Sequence, residues 1–307
     1  MLIKTYSTLR KSVIKILALA LMAFLNACQT ENSEIKKNDS STEKDLYFGY
    51  KPPGLTPEVF VPKKSRSADW KLGNEDSLDM QEFYFTYSGD DHPFHPAVVV
   101  YRQEESSYSV NKYTFLPGST ENSNILYSRH NYIERTDSGW SKIKSLGPMF
   151  ERENWGIMLL SVSSKGTIVF DDYKSNDVIR ISRIIDGKRE EPELLGTEIN
   201  SGKWTAHPFI APDESFLIWG SERDDGYGMS DNYISFRKQD GSWGSAINMG
   251  DKINSELVEN GARLTPDGKY LLFGRSEEKV REDGDSYWET TKYWVDAKII
   301  ENLKPKE

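Results

Sequence analysis

Trp155, Trp204, His207, Arg223, Tyr227 and Glu259, with the amides Asn154 and Asn260, are the residues of this chain whose types suit recognition chemistry. Indole and phenol rings stack on sugar faces or on peptide side chains, while amide, imidazole and carboxylate groups fix orientation by hydrogen bonds. Reactive constellations are scarcer. No Gly-x-Ser-x-Gly, no Gly-x-x-x-x-Gly-Lys and no dinucleotide fingerprint occurs, which removes acyl transfer on a nucleophile elbow and the phosphate-cradling loops. Acid pairs such as Asp171/Asp172 and Asp224/Asp225 could serve glycosidic cleavage, which needs two carboxylates at a set separation. Adjacency in sequence does not establish that separation. The stretch from Asp224 to Asp231 offers oxygen donors for calcium but departs from EF-hand spacing and lacks a closing glutamate. His92 and His95 resemble a metal pair only superficially, because Pro93 and Pro96 place them in a loop. The expectation is a chain with no catalytic residue, no metal and no cofactor.

A repeated block supplies the scaffold. Residues Asp177 to Ser221 lie over Asp231 to Arg275 at an ungapped offset of 54, sharing twelve of 45 positions. Among the twelve are Gly196/Gly250, Ile199/Ile253, Asn200/Asn254, Ser201/Ser255, Pro212/Pro266 and Asp213/Asp267. Self-similarity at this period marks an architecture built from copies. Within a copy, short β-rich runs alternate with turn residues: Pro208 to Ala211, Phe216 to Gly220 and Asn232 to Arg237 read as strands, with Pro212-Asp213 and Asp240-Gly241 as tight turns. Four antiparallel strands per copy describe a propeller blade. Taking Phe85, Tyr127, Phe170, Trp219 and Phe273 as equivalent second-strand residues, the steps are 42, 43, 49 and 54 residues. The reading is an all-β propeller of five blades, with a sixth only if one copy has diverged beyond recognition. The last copy stops at its third strand, Tyr293 to Lys298, so Glu58 to Val61 is expected to pair with that strand and close the ring.

Strand alternation then decides which loops share an end. First-to-second and third-to-fourth turns lie on one end of each blade; the second-to-third loop, Ser221 to Ser230, and the linkers Ile199 to His207 and Ile253 to Asn260 lie on the other. Function concentrates on variable loops carried by rigid scaffolds. Asn154, Trp155, Trp204, His207, Arg223, Tyr227, Glu259 and Asn260 are therefore expected to surround the channel mouth at the loop end.

The cassette His207 to Asp213, followed by Ser221-Glu222-Arg223, Gly226 to Asp231, Asp240 to Trp243 and Ile253-Asn254-Ser255, resembles the Pro-Asp β-propeller repeat of TolB-like proteins. Thr265 to Lys269 repeats its core, and the resemblance spans roughly residues 155 to 298. It implies a docking platform for envelope lipoproteins. At the other end of the chain, Lys4, Arg10, Lys11 and Lys15 precede an apolar run from Ile16 to Leu25, and Leu25-Asn26-Ala27-Cys28 resembles the bacterial lipobox. That resemblance implies a signal peptide over residues 1–27 and lipidation of Cys28, the single cysteine. It also implies a membrane attachment through thioether-linked and N-linked acyl chains such as palmitate. Gln29 favours the outer membrane over inner-membrane retention, facing the periplasm or the cell surface. Residues 28–45 are too polar to bury a core and read as a tether, leaving 46–307 as one propeller domain. Removing a leader with four positive charges and no acids takes the net charge from −9 to −13. So acidic a chain repels phosphate backbones, which excludes nucleic acid as a partner. A non-catalytic binding module for an envelope protein or glycan is the expected function. The alternatives are a carbohydrate-active lyase or hydrolase with acids at the mouth, and an accessory or sensor subunit of an envelope complex.

Overall fold

The computed structural model describes residues 51–60, the strands between 72 and 122, and residues 124–306 apart from 138; side chains are described for 51–60, 124–137 and 141–306. The leader, Cys28, the tether, His92 and His95 lie outside the described residues.

Among the described residues, five antiparallel sheets of four or more strands follow one another along the chain, with a two-stranded hairpin beside the third. Sheet 1 comprises Leu72–Asp79, Glu82–Tyr87, Ala97–Arg102 and Ser107–Asn111; sheet 2 comprises Ser119–Asn122, Ile125–Ser128, Asn131–Thr136 and Lys144–Ser145, with Gly139–Trp140 also on Asn131–Thr136. Sheet 3 is built from Leu160–Val162, Ile168–Asp172, Val178–Ser182 and Glu193–Leu194, and sheet 4 from Lys203–Ile210, Phe216–Glu222, Asp231–Phe236 and Ile247–Asn248. Sheet 5 contains Val258–Leu264, Tyr270–Val280 and Ser286–Asp296, and its outer edge is covered by Glu58–Val59. Glu58 stands opposite Trp294 and Val59 opposite Tyr293. Phe60 extends the contact, donating its amide to Lys292 O at 2.8 Å and setting its ring 5.2 Å from that of Trp294. The first strands of consecutive sheets are neighbours from sheet 1 to sheet 5. Small antiparallel sheets so arranged form a propeller.

The hydrophobic core is a series of layers between sheets. Phe150, Trp155, Leu160 and Phe170 fill the space between sheets 2 and 3 together with Tyr127 and Leu146. Ile179, Ile181, Ile210, Leu217, Trp219 and Tyr233 fill the next; Phe209, Ile218, Ile234, Leu271, Phe273 and Val295 fill the space between sheets 4 and 5, capped by Ile299 and Ile300 of the short helix Lys298–Glu301. Alternation along each strand explains this, since successive side chains face opposite neighbours. Ser163, Ala211 and Thr265 donate their amides to Thr167 O, Phe216 O and Tyr270 O respectively. Counting three residues on from each acceptor makes Phe170, Trp219 and Phe273 structural equivalents, as the repeat spacing predicts.

The repeated residues do the same work in each copy. Ile199 and Asn200 donate amides to Gly196 O as Ile253 and Asn254 do to Gly250 O. The Asn200 side chain then mimics a strand, accepting from Ile179 N at 2.7 Å and donating to Ile179 O at 2.9 Å; Asn254 does likewise with Asn232 N and O at 2.8 and 3.0 Å. Those third-strand partners are 53 positions apart, not 54, so the ungapped repeat runs one residue out of register over the third strand. The hairpin of sheet 3, with its extra pair Ile184–Ile185 and Lys188–Arg189, absorbs the difference. Asp213 accepts from Ser215 N and Oγ at 2.9 and 2.6 Å, which makes the Pro-Asp turn an Asx turn. The first strand of sheet 4 begins at Lys203, earlier than the Pro208 start expected from sequence.

Candidate functional site: the loop end of the propeller

Trp204 and His207 lie on the first strand of sheet 4 and take left-handed φ values of 53° and 54°. They coincide with the two register shifts that separate Lys203, Ala206 and Phe209. A non-glycine residue in this region costs roughly 1–2 kcal/mol. Sheet 5 makes the matching bulge with Gly261, at φ 64° and 54 positions after His207. Glycine meets the demand without strain, so sheet 4 keeps a strained imidazole where the fold asks only for a backbone. His207→Gly is expected to leave stability unchanged or raise it by up to ~1 kcal/mol, whereas Gly261→Ala lowers it by ~1–2 kcal/mol. Urea midpoints of the two variants measured together check this. A loss at His207→Gly as large as that at Gly261→Ala would make the imidazole a stability contact.

Asp171 holds the bulge. One carboxylate oxygen accepts from Met158 N and Leu159 N, both at 2.8 Å, and the other from His207 N at 3.0 Å, so the carboxylate ties the approach to sheet 3 to the first strand of sheet 4. Burial pushes the Asp171 carboxyl above its ordinary value, opposed by the His207 charge and these three amides. His207 Nε2 sits 3.2 Å from Met158 Sδ. Trp204 is 63% exposed, and Met158, Tyr173, Tyr227 and Met229 are exposed at the same end of the blades. Asn154 is exposed and Asn260 half-buried there.

Three expected mouth residues have other positions. Trp155 is buried, with the Arg152 and Arg180 guanidinium carbons 4.3 and 4.7 Å from its ring centre. Arg223 donates to Ile199 O at 2.9 Å and lies 4.7 Å over Tyr233; Arg275 repeats this with Ile253 O at 3.2 Å and Tyr293 at 4.9 Å. Arg223 is therefore a blade fastener. Glu259 is fully buried, accepting from Arg275 Nε at 2.6 Å, Ser255 Oγ at 2.5 Å and Ser255 N at 2.9 Å. Its carboxylate is bonded within sheet 5 and the linker that enters it. Sequence reasoning missed Met158 as a mouth residue and considered Asp171 only as half of an acid pair. The one legible signal was the histidine standing at the glycine position of the repeat.

Acids expected to be doubtful as reactive groups are engaged elsewhere. Asp171 and Asp172 point to opposite sides of their strand, one to His207 and the other to Arg180, so they cannot flank one bond. Asp231 accepts from Tyr227 N and Asn248 Nδ2, both at 2.7 Å, and shapes its own loop. Among the described residues no group of three His, Cys, Asp or Glu side chains could hold a metal ion, and no helix is long and apolar enough to cross a membrane. A cavity of about 690 Å³ opens on the opposite end, walled by Pro212, Asp213, Phe216, Leu264, Tyr270 and Lys298. Asp213 and Ser215 line it together, and the Ser215 hydroxyl donates to Asp213 Oδ1 at 2.6 Å within the Asx turn.

No family model matches the chain, and no curated protein matches it. Solved propeller structures are similar at low identity. TolB from Acinetobacter baumannii is 8% identical with a TM-score of 0.43, the match covering 74% of this chain and 57% of that one. The gluconolactonase XC5397 from Xanthomonas campestris is 10% identical with a TM-score of 0.44, over 85% of this chain and 99% of that one. A puromycin hydrolase is 11% identical with a TM-score of 0.42, over 76% and 41%. This chain thus spans little more than half the length of the TolB it matches. A TolB, a gluconolactonase and a puromycin hydrolase stand together among these neighbours, and likeness at this level carries no argument for any one activity. The fold and the loop end define a β-propeller with an exposed aromatic and thioether surface.

Proposed function

We propose that this chain is a non-catalytic, lipid-anchored envelope protein that binds a partner protein at the loop end of a five-bladed propeller. In this reading the ring is closed by the Glu58–Val59 segment, residues 46–307 form one domain, and Cys28 carries the acyl anchor in the outer membrane. The observation that carries the binding assignment is the exposure of Met158, Tyr173, Trp204, Tyr227 and Met229 at one end. Exposed apolar side chains gathered on one surface mark interaction sites, and methionine beside aromatic rings gives the adaptable apolar contact that protein partners use. A glycan subsite would instead pair flat rings with carboxylates or amides; Glu259, the acid expected for that role, is spent inside the blade.

The test uses the purified full chain against arrays of envelope-protein peptides and of glycans. Peptides are expected to bind, and Trp204→Ala with Tyr227→Ala to weaken them about tenfold or more with an unchanged thermal melt. Glycan capture lost in the same variant, or turnover of an oligosaccharide, would overturn the reading. Cys28→Ala is expected to release the chain from membranes; continued fractionation with lipid would remove the anchor.

A further inference from the structure

The second and third strands of sheet 5 run on past their sheet. Tyr270–Val280 and Ser286–Asp296 stay paired out to Val280 opposite Ser286. The first strand starts at Val258 opposite Ser276, and Glu58–Val59 reaches only Trp294 and Tyr293. Beyond Ser276 and Thr290 a two-stranded ribbon of four rungs, Glu277/Glu289 to Val280/Ser286, stands alone among the described strands. Being a second-to-third connection, it projects from the loop end.

A two-stranded ribbon with no third strand is marginally stable in water, and this one shows 52% of Trp288 and 70% of Val280 to solvent. Its two faces differ. On one, Lys279 Nζ bonds Glu277 at 2.6 Å and the Arg281 guanidinium covers Tyr287 at 4.7 Å, so charge and ring are largely satisfied within the ribbon. On the other, Trp288 stands opposite Glu278, with Val280 one step outward. Residues 277 to 289 hold six carboxylates against Lys279 and Arg281. Charged side chains along both free edges oppose the addition of another strand, so a partner meets the Trp288 face and the acidic tip and not the backbone.

We propose that this ribbon is a docking arm for a partner protein that presents an apolar pocket for Trp288 bordered by lysine or arginine. It rests on the reading of the loop end as a protein-recognition surface. Charge selects the partner: an acidic arm attracts and orients a basic surface, and a desolvated tryptophan supplies the energy of a hot spot. A second copy of this chain, at net charge −9, does not offer that basic surface.

The probe is an amphipathic lysine/leucine peptide, compared with its glutamate/leucine counterpart and a neutral oligosaccharide, each titrated into the full chain at near-physiological salt. The lysine peptide is expected to bind. Trp288→Ala, and separately Glu278→Lys with Asp283→Lys, are expected to raise its dissociation constant about tenfold or more. Glu193→Lys with Glu301→Lys makes the same charge change elsewhere on the surface and is expected to alter it less than about threefold. All these positions are exposed, and circular dichroism melts confirm that the variants fold. Ribbon variants that bind like the parent, or a control pair that weakens binding as much as the ribbon pair, would overturn the arm. So would preferential capture of the glutamate peptide or the oligosaccharide, or self-association of the chain abolished by Trp288→Ala. Loss on Trp204→Ala with Tyr227→Ala but not on ribbon variants would sink the arm while leaving the loop-end reading standing. Loss on ribbon variants alone supports the arm and counts against Trp204 and Tyr227.

Discussion

Glu259→Gln is expected to lower the stability of the folded chain by ~3–5 kcal/mol, the cost of removing one partner from a buried ion pair. Glu259 has no exposed surface, and Arg275 retains only 22% of its side-chain exposure beside it. The glutamine keeps one acceptor oxygen but presents an N–H donor where the carboxylate accepted, leaving the Arg275 guanidinium without its counter-charge inside sheet 5. The same arginine holds Ile253 O and lies over Tyr293, so the loosening extends to the linker entering sheet 5. Equilibrium urea unfolding measures the loss. Adding Arg275→Met should restore part of it, because an apolar pair of similar volume tolerates burial better than half an ion pair. An unchanged unfolding midpoint with ligand binding abolished would return Glu259 to the binding surface.

Asp172→Asn should be about as costly, ~3–5 kcal/mol near neutral pH, through a different chain of contacts. Asp172 is fully buried and accepts from Gly156 N at 2.9 Å, Ser175 Oγ at 2.6 Å and Arg180 Nε at 2.9 Å. Arg180 in turn covers Trp155, which packs on Phe170 at 5.5 Å. Burial alone would raise the carboxyl; the bonds from Ser175, Gly156 and Arg180 outweigh it and hold the group below its ordinary value. The sign of the pH dependence follows. A depressed folded-state value contributes stability that is fully present above the unfolded value of 3.8 and is lost as pH falls through the folded one. The deficit of Asp172→Asn relative to the parent is therefore expected to be constant above about pH 5 and to shrink below about pH 4. A deficit that stays constant through that acid range would mean Asp172 is not the ionised partner of Arg180.

Asp171 and Asp172 show why adjacent acids could not be read from the sequence. Both are buried on one strand, yet alternation turns one toward His207 and the other toward Arg180. Burial raises the first, while a guanidinium and two further donors lower the second. Sequence adjacency carries no information on which environment each side chain enters. Arg223 and Arg275 make the same point: their shared role is invisible at the offset of 54, because they are 52 positions apart.

What the chain by itself determined is periodic and local. Alternating apolar residues, Asx turns and the Gly-x-x-Ile-Asn-Ser cassette specify antiparallel meanders, since each depends on hydrogen bonds and burial within a few residues. The equivalence of Phe170, Trp219 and Phe273 was legible for that reason. Only the tertiary structure decided which mouth residues stay in solvent. Trp155 and Trp204 are the same residue type near the same end of neighbouring blades. One is enclosed by Arg152 and Arg180, and the other takes a left-handed conformation at the first register shift of sheet 4 and stays exposed. Exposure is set by neighbours distant in sequence, and those contacts come into being only when the sheets assemble.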